Sequence, residues 1–262
     1  MFRMNEQNGI KYFTSTKLDG LHHAFTTRGL DMKNSIDREK LLVELGFIQR
    51  NPDLFLEESD NQTFFQESKG SYPFIMPKQE HTCNIAVVEN AWDAKKDFAA
   101  TDGVIITVPN IPVILCFADC VPVVLFSRKD NVLAVLHAGW RGTASGIVKK
   151  GCKILIDEMG LEPKNITMAI GASICLDAFE TSKEVKEALS YSMDGDYDDV
   201  FIDNHADLKK INAYQAMETG IVSIDVMEYC TSRDNDLFYS YRKENQTQYR
   251  HGVVAQLEEE LG

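Results

Sequence analysis

The pattern of apolar and polar positions changes character along this chain. Residues 12 to 28 read as short strands around LHHAFTTRG. A helix is predicted from Asp37 to Gly46, with Leu41, Leu42 and Leu45 on its inner side and Gly46 as its C-terminal stop. Asn51 to Gly70 is polar and irregular. Between residues 84 and 137 the chain becomes dense in β-branched residues. NIAVVE, GVIITV, PVILCFA, VPVVLFS and NVLAVLH are five strand candidates separated by turn residues. Several of them are apolar at both odd and even positions, the signature of strands covered on both faces; a surface sheet would alternate.

After Trp140 the period becomes helical. Val148, Cys152, Leu155 and Met159 fall on one face of a helix expected over 143–159, with Gly160 at its end. ITMAIGAS reads as a strand, SKEVKEALS and DLKKINAYQAMETG as helices, and IVSIDVM as a closing strand. The last thirty residues are polar with scattered aromatics. There is no internal repeat and no flexible linker. The expected architecture is α/β, one layered domain over 1–262 with a mixed sheet and helices outside it.

Composition narrows the classes of function. The chain has 262 residues, and its 27 Lys and Arg against 40 Asp and Glu give a net charge of −13. Without a basic face, nucleic acid is excluded as a main partner. The longest apolar stretch, residues 104–126, is interrupted by Pro109, Pro112, Asp119 and Pro122, which disfavours a membrane helix. The first ten residues lack the apolar segment of a secretion signal, so a cytoplasmic protein is expected. None of the six cysteines forms a CxxC pair, and most are expected to be buried free thiols.

Two segments set chemically able side chains at strand ends. In CFADC, Asp119 and Cys120 follow an apolar strand. In LHAGWRG, His137 ends another strand, and Gly139 and Gly142 bracket Trp140 and Arg141 ahead of a helix. Strand ends that turn into helices through glycines are where α/β folds usually place a site. Cys120 and His137 can form a thiolate–imidazole nucleophile pair. Alternatively they can bind Zn²⁺ with a third ligand and an open fourth position, a catalytic rather than a structural arrangement. His81 in KQEHTCN is the candidate third ligand, and Cys83 competes for the role. Asp119, beside the thiolate, is a candidate proton carrier or second-sphere partner. Arg141 sits where backbone N–H groups and the helix dipole favour an anion. Arg242 and Arg250, with Tyr239 and Tyr241, offer an aromatic and guanidinium wall for a flat polar ligand.

FADC at 117–120, HAGWRG at 137–142, IGASI at 170–174, CTSRDNDLFYSYR at 230–242 and the preceding QEH at 79–81 together resemble the YlmD/YfiH-type family. Its members have been called laccase-domain or polyphenol oxidase proteins and, more recently, purine nucleoside phosphorylases. The resemblance extends from HHAFTTRG at 22–29 to YRHG at 249–252. It implies a layered mixed α/β fold like that of cytotoxic-necrotizing-factor deamidases, and Zn²⁺ on His81, Cys120 and His137. It implies purine nucleosides and phosphate as partners, with phosphorolysis of adenosine, inosine, guanosine and methylthioadenosine and hydrolytic deamination of adenosine. Asp119, Cys120 and Arg141 are then the expected catalytic residues, with Arg28 or Arg242 as further phosphate contacts, in a monomer or small homo-oligomer. Two departures stand out: the family's QVHG reads QEHT here, placing Glu80 at a usually apolar position, and TTRG runs straight into LDMKNS without the usual glycines.

Three other functions compete. Copper can occupy a His/Cys site because it outcompetes zinc on affinity, which keeps a copper-dependent polyphenol oxidase in view. Six histidines, widely dispersed, are too few for a multicopper laccase. A metal-free Cys120–His137 amide hydrolase and a non-catalytic partner-binding protein complete the set.

Overall fold

The computed structural model describes residues 1–48, 74–90, 92–93 and 96–259. The irregular stretch expected at 51–70 lies outside them. In chain order the strands are β1 (Phe2–Gln7), β2 (Ile10–Ser15), β3 (His22–Thr26), β4 (Ile85–Val88), β5 (Gly103–Ile106) and β6 (Val113–Phe117). They continue with β7 (Val121–Ser127), β8 (Val132–Ala138), β9 (Ile166–Ile170), β10 (Phe201–Ile202), β11 (His205–Ala206), β12 (Ser223–Val226) and β13 (His251–Gln256). The α-helices are α1 (Ser35–Glu44), α2 (Trp140–Ala144), α3 (Ile147–Lys153), α4 (Lys183–Ser190) and α5 (Leu208–Met217).

The five apolar runs do form strands, but they divide between two main sheets rather than joining one. An antiparallel sheet runs β1-β2-β3-β13-β6, and a mixed sheet runs β12-β9-β7-β8-β5-β4 with parallel pairs at its two edges. Side-chain alternation explains the division. In β7, Val121, Val123 and Leu125 pack toward the helices, whereas Val124 and Phe126 pack toward the other sheet. In β8, Leu133 and Val135 likewise meet Val113, Leu115 and Phe117 of β6 between the sheets. The opposite faces of β6 and β13 (Ile114, Cys116 and Val254) are covered by Leu41 and Leu42 of α1. The layers are therefore helix, sheet, sheet, helices, and strands buried on both faces need apolar residues at both parities.

Several elements differ from the sequence expectation, beginning with β1, which precedes the strands expected over 12–28. Helix α1 begins at Ser35 because the Asn34 side chain accepts hydrogen bonds from the backbone N–H groups of Ile36 and Asp37. The helix expected over 143–159 starts earlier, at Trp140, and is broken at Gly146, whose φ of 71° only glycine adopts readily. It resumes as α3 and finishes in a π-helical turn over Ile154–Glu158. Finally, the polar C-terminal region contains β13, a wholly buried strand held between β3 and β6. Among the described residues, no helix is long and apolar enough to cross a membrane.

Candidate metal centre

Sheet register brings the candidate ligands together. Strands β5 and β8 pair antiparallel with Gly103 opposite Leu136, which sets Asp102 opposite His137. Strands β7 and β8 pair with Val121 opposite Ala138, which sets Cys120 opposite Gly139. His137 has the parity of Leu133 and Val135, so its ring emerges at the end of the inter-sheet core, 5.3 Å from the Phe117 ring centroid. His81 arrives from the loop before β4, with φ of 60°. The ligand atoms of His81, Cys120 and His137 lie within 4.8 Å of one another. Cys83 stays outside this group, with its carbonyl accepting from Lys150.

Asp102, which the sequence reading passed over, organises the centre. One carboxylate oxygen accepts from His137 Nδ1 at 2.7 Å and from the His81 backbone N–H at 3.0 Å. The other accepts from the Glu80 N–H and from both the N–H and the hydroxyl of Thr82, at 3.2, 2.7 and 2.8 Å. A single buried carboxylate thus folds the 80–82 loop over the site and leaves Nε2 of His137 to face the ligand position. Burial would raise the Asp102 carboxyl, but hydrogen bonds from His137 and Thr82 outweigh it and bring the pKa down to about 2.

The same balance acts on Cys120 and His137. Burial disfavours charge on both, yet the mutual attraction of thiolate and imidazolium prevails. Cys120 falls to about 6, and His137, also supported by Asp102, rises to about 9. Each of the two groups thus favours the charged form of the other.

The donor set fits a metal ion. Tetrahedral zinc with one thiolate and two imidazoles places its ligand atoms roughly 3.3–3.6 Å apart, so the three groups need only close slightly. Gly139 leaves the room. A Cβ there would lie 2.9 Å from Cys120 Sγ and 3.0 Å from a His81 ring carbon. Three ligands leave a fourth position for water or substrate.

The other expected site residues are placed as follows. Asp119 has φ of 82°; its carboxylate accepts from the Thr231 hydroxyl at 2.6 Å and from the Arg242 backbone N–H at 2.7 Å. Arg141 is exposed on the first turn of α2, its guanidinium 4.3 Å from the Trp140 ring centroid. Arg242 reaches the Glu180 carbonyl and lies over Phe179. With Tyr241, Asn245 and Gln246 it lines a cavity of about 270 Å³. Arg28 is committed to the Asn235 carbonyl, to Glu244 at 2.8 Å and to the Tyr239 ring, and Arg250 to the carbonyls of Thr247 and Tyr249.

The profile of a family described as multi-copper polyphenol oxidoreductase laccase matches residues 53–258. The chain belongs to this laccase-domain family, that of the YlmD and YfiH proteins. It is 33% identical over 186 residues to a protein named adenosine deaminase RL5, from an unknown prokaryotic organism, covering 64% of this chain and 69% of that one. It is 30% identical over 200 residues to a purine nucleoside phosphorylase of Bacteroides thetaiotaomicron, covering 70% of this chain and 73% of the relative. Among solved structures, YlmD from Geobacillus stearothermophilus superposes with a TM-score of 0.82 at 21% identity, over 98% of this chain and 99% of that one. YfiH from Bacillus licheniformis gives 0.81 at 22% identity over the same shares. These two likenesses establish the fold.

Among the described residues, the histidines outside the His81–Cys120–His137 cluster do not assemble the several copper centres that the family's multi-copper description implies. His22 bonds the Leu45 carbonyl, His23 is held between Ser15 and Leu21, and His251 is enclosed by Phe117 and Phe238. Among the described residues, His81, Cys120 and His137 form the one cluster able to hold a metal. In this laccase-domain protein the geometry supports a metal-assisted enzyme with one centre.

Proposed function

We propose that the protein is a zinc-dependent purine nucleoside phosphorylase that also deaminates adenosine. The observation that carries this reading is the His81–Cys120–His137 cluster with its open side, in a chain whose relatives are named for these two activities. When bound, zinc supplies Lewis acidity at the open position and lowers the pKa of a water there. The chain's own groups do the rest. Asp102 fixes the ring of His137 and the loop bearing His81. Arg141, beside the centre in sequence and exposed, takes the phosphate, with Arg242 as a second contact. Each oxygen of Asp119 keeps a free lone pair after accepting from Thr231 and Arg242, which suits it to carry a proton. Phosphorolysis joins phosphate to C1′ of the ribose and releases the base; deamination exchanges the C6 amino group of adenosine for oxygen from water. Cys120→Ala is expected to abolish both zinc content and release of ribose 1-phosphate, and phosphorolysis that survives the substitution contradicts the proposal.

A second reading has an observation of its own. Cys120, His137 and Asp102 stand in the order nucleophile, base and orienting carboxylate, which is also the arrangement of a metal-free amide hydrolase. Alkylation that inactivates metal-free protein, with no loss of activity to chelators, would select it.

A further inference from the structure

The structure holds a second pair of sulfurs, unrelated to the metal ligands. Cys175 follows β9 and Cys230 follows β12 in sequence, and these strands are parallel neighbours. Their pairing continues past the strand ends as a bridge between Ser173 and Cys230. The Cys175 N–H donates to Cys230 Sγ at 3.2 Å, so the two cysteines are in direct contact. Cys230 is fully buried, whereas Cys175 is half-buried and accessible. The buried Lys209 Nζ is anchored on the carbonyls of Met227 and Tyr229 at 2.6 and 2.7 Å; burial lowers its pKa, and Asp207 and the two sulfurs partly oppose that shift.

The neighbours of this pair give it reach. Ile174, before Cys175, donates its N–H to the Asp119 carbonyl at 3.0 Å. Thr231, after Cys230, donates its hydroxyl to the Asp119 carboxylate and its N–H to the Ser173 carbonyl. Asp119, in a left-handed conformation, is thus clasped on both sides by residues adjacent to the two cysteines, and the next residue is the metal ligand Cys120.

We propose that Cys175 and Cys230 are a thiol-modification site: they close to a reversible disulfide under a low-molecular-weight disulfide, and closure displaces the clasp on Asp119 and loosens the metal centre. The chemistry balances as two exchanges. The Cys175 sulfur attacks the small disulfide, giving a mixed disulfide and one small thiol. The Cys230 sulfur then attacks Cys175, forming the protein disulfide and releasing the second small thiol, with each cysteine proton passing to a departing thiolate. Burial and the adjacent sulfur push the Cys175 thiol up to about 11, so its thiolate is scarce at neutral pH and the exchange is slow. A bond of about 2 Å must form where the Cys175 N–H now meets the Cys230 sulfur, and the loops move to make it. The coupling to the centre rests on the zinc reading above; formation of the cross-link does not.

The test uses the full chain loaded with zinc, which shields Cys120, and incubated for hours with glutathione disulfide. Peptide mapping after alkylation should show Cys175 joined to Cys230, reversed by a phosphine reductant and absent in Cys175→Ser. Zinc loss to a chelator should run about tenfold faster in the oxidised protein, the size of a second-sphere perturbation, and at the reduced rate in oxidant-treated Cys175→Ser. Reduced protein that binds no zinc overturns the zinc reading and the coupling together. Zinc-loaded protein in which both thiols stay alkylatable, or in which the cross-link leaves zinc release unchanged, overturns this proposal alone.

Discussion

Two buried histidines stand on either side of Phe117, and their fates are opposite. His137 lies with its ring centroid 5.3 Å from that of Phe117, and His251 lies 6.5 Å away. Both are almost wholly enclosed. His137 has Asp102 on one nitrogen and Cys120 before the other, and its pKa rises to about 9. Among the described residues neither ring nitrogen of His251 has a hydrogen-bond partner, and burial, then the charge of Arg250, lowers its pKa to about 3. Burial alone therefore says nothing about chemistry. What separates the reactive corner from the inert core is a carboxylate and a thiolate within reach of one ring.

The strongest way to break that contrast is to remove the carboxylate. Asp102→Ala strands His137 Nδ1 and the N–H groups of the 80–82 loop, at a cost on the order of 3 kcal/mol of stability. Zinc affinity should fall about 10- to 100-fold, read by competition with a chelator. An unchanged affinity would show that the loop and His137 hold their places without Asp102.

The His251 side is probed by acid. Above about pH 6.5 the ring is neutral in both folded and unfolded chains. As pH falls below that value, only the unfolded state takes the proton, until the folded pKa of about 3 is reached. Across that window His251 should subtract about 1.4 kcal/mol of stability per pH unit. His251→Phe should flatten this slope in denaturant titrations at successive pH values, with zinc content unchanged. In metal-free protein, Cys120 and His137 offset each other between about 6.5 and 9, since one binds fewer protons when folded and the other more. Equal slopes in the two proteins would contradict the assignment.

Smaller effects are expected at the rim. Gly139→Ala pushes a methyl group against Cys120 Sγ and should weaken zinc binding about tenfold while the fold persists. Arg141→Ala should raise the KM for phosphate about tenfold, the worth of one charge-assisted hydrogen bond, with little change in kcat.

Much of this contrast was legible in the sequence. The double parity of VPVVLFS and NVLAVLH announced strands buried on both faces, and Cys120 and His137 at strand ends, with His81 ahead of the strand-rich region, were identifiable as donor types. Two parts were hidden for physical reasons. Asp102 in TDGVII looks like a turn residue; only the pairing of Gly103 with Leu136 places it beside His137. Strand β13, HGVVAQ, carries His, Gly and Gln, yet all six residues are buried, because the mixed sheet covers one face and α1 the other. Its position between β3 and β6 depends on pairing across more than a hundred residues, which local periodicity does not report.

The central claim is tested most directly by measuring metal content and products on one sample of the reduced protein incubated with adenosine, with and without phosphate. The account predicts about one zinc per chain, adenine with ribose 1-phosphate only when phosphate is present, and inosine without it. Protein that carries no metal yet turns adenosine over, or carries zinc and yields none of these products, would contradict it.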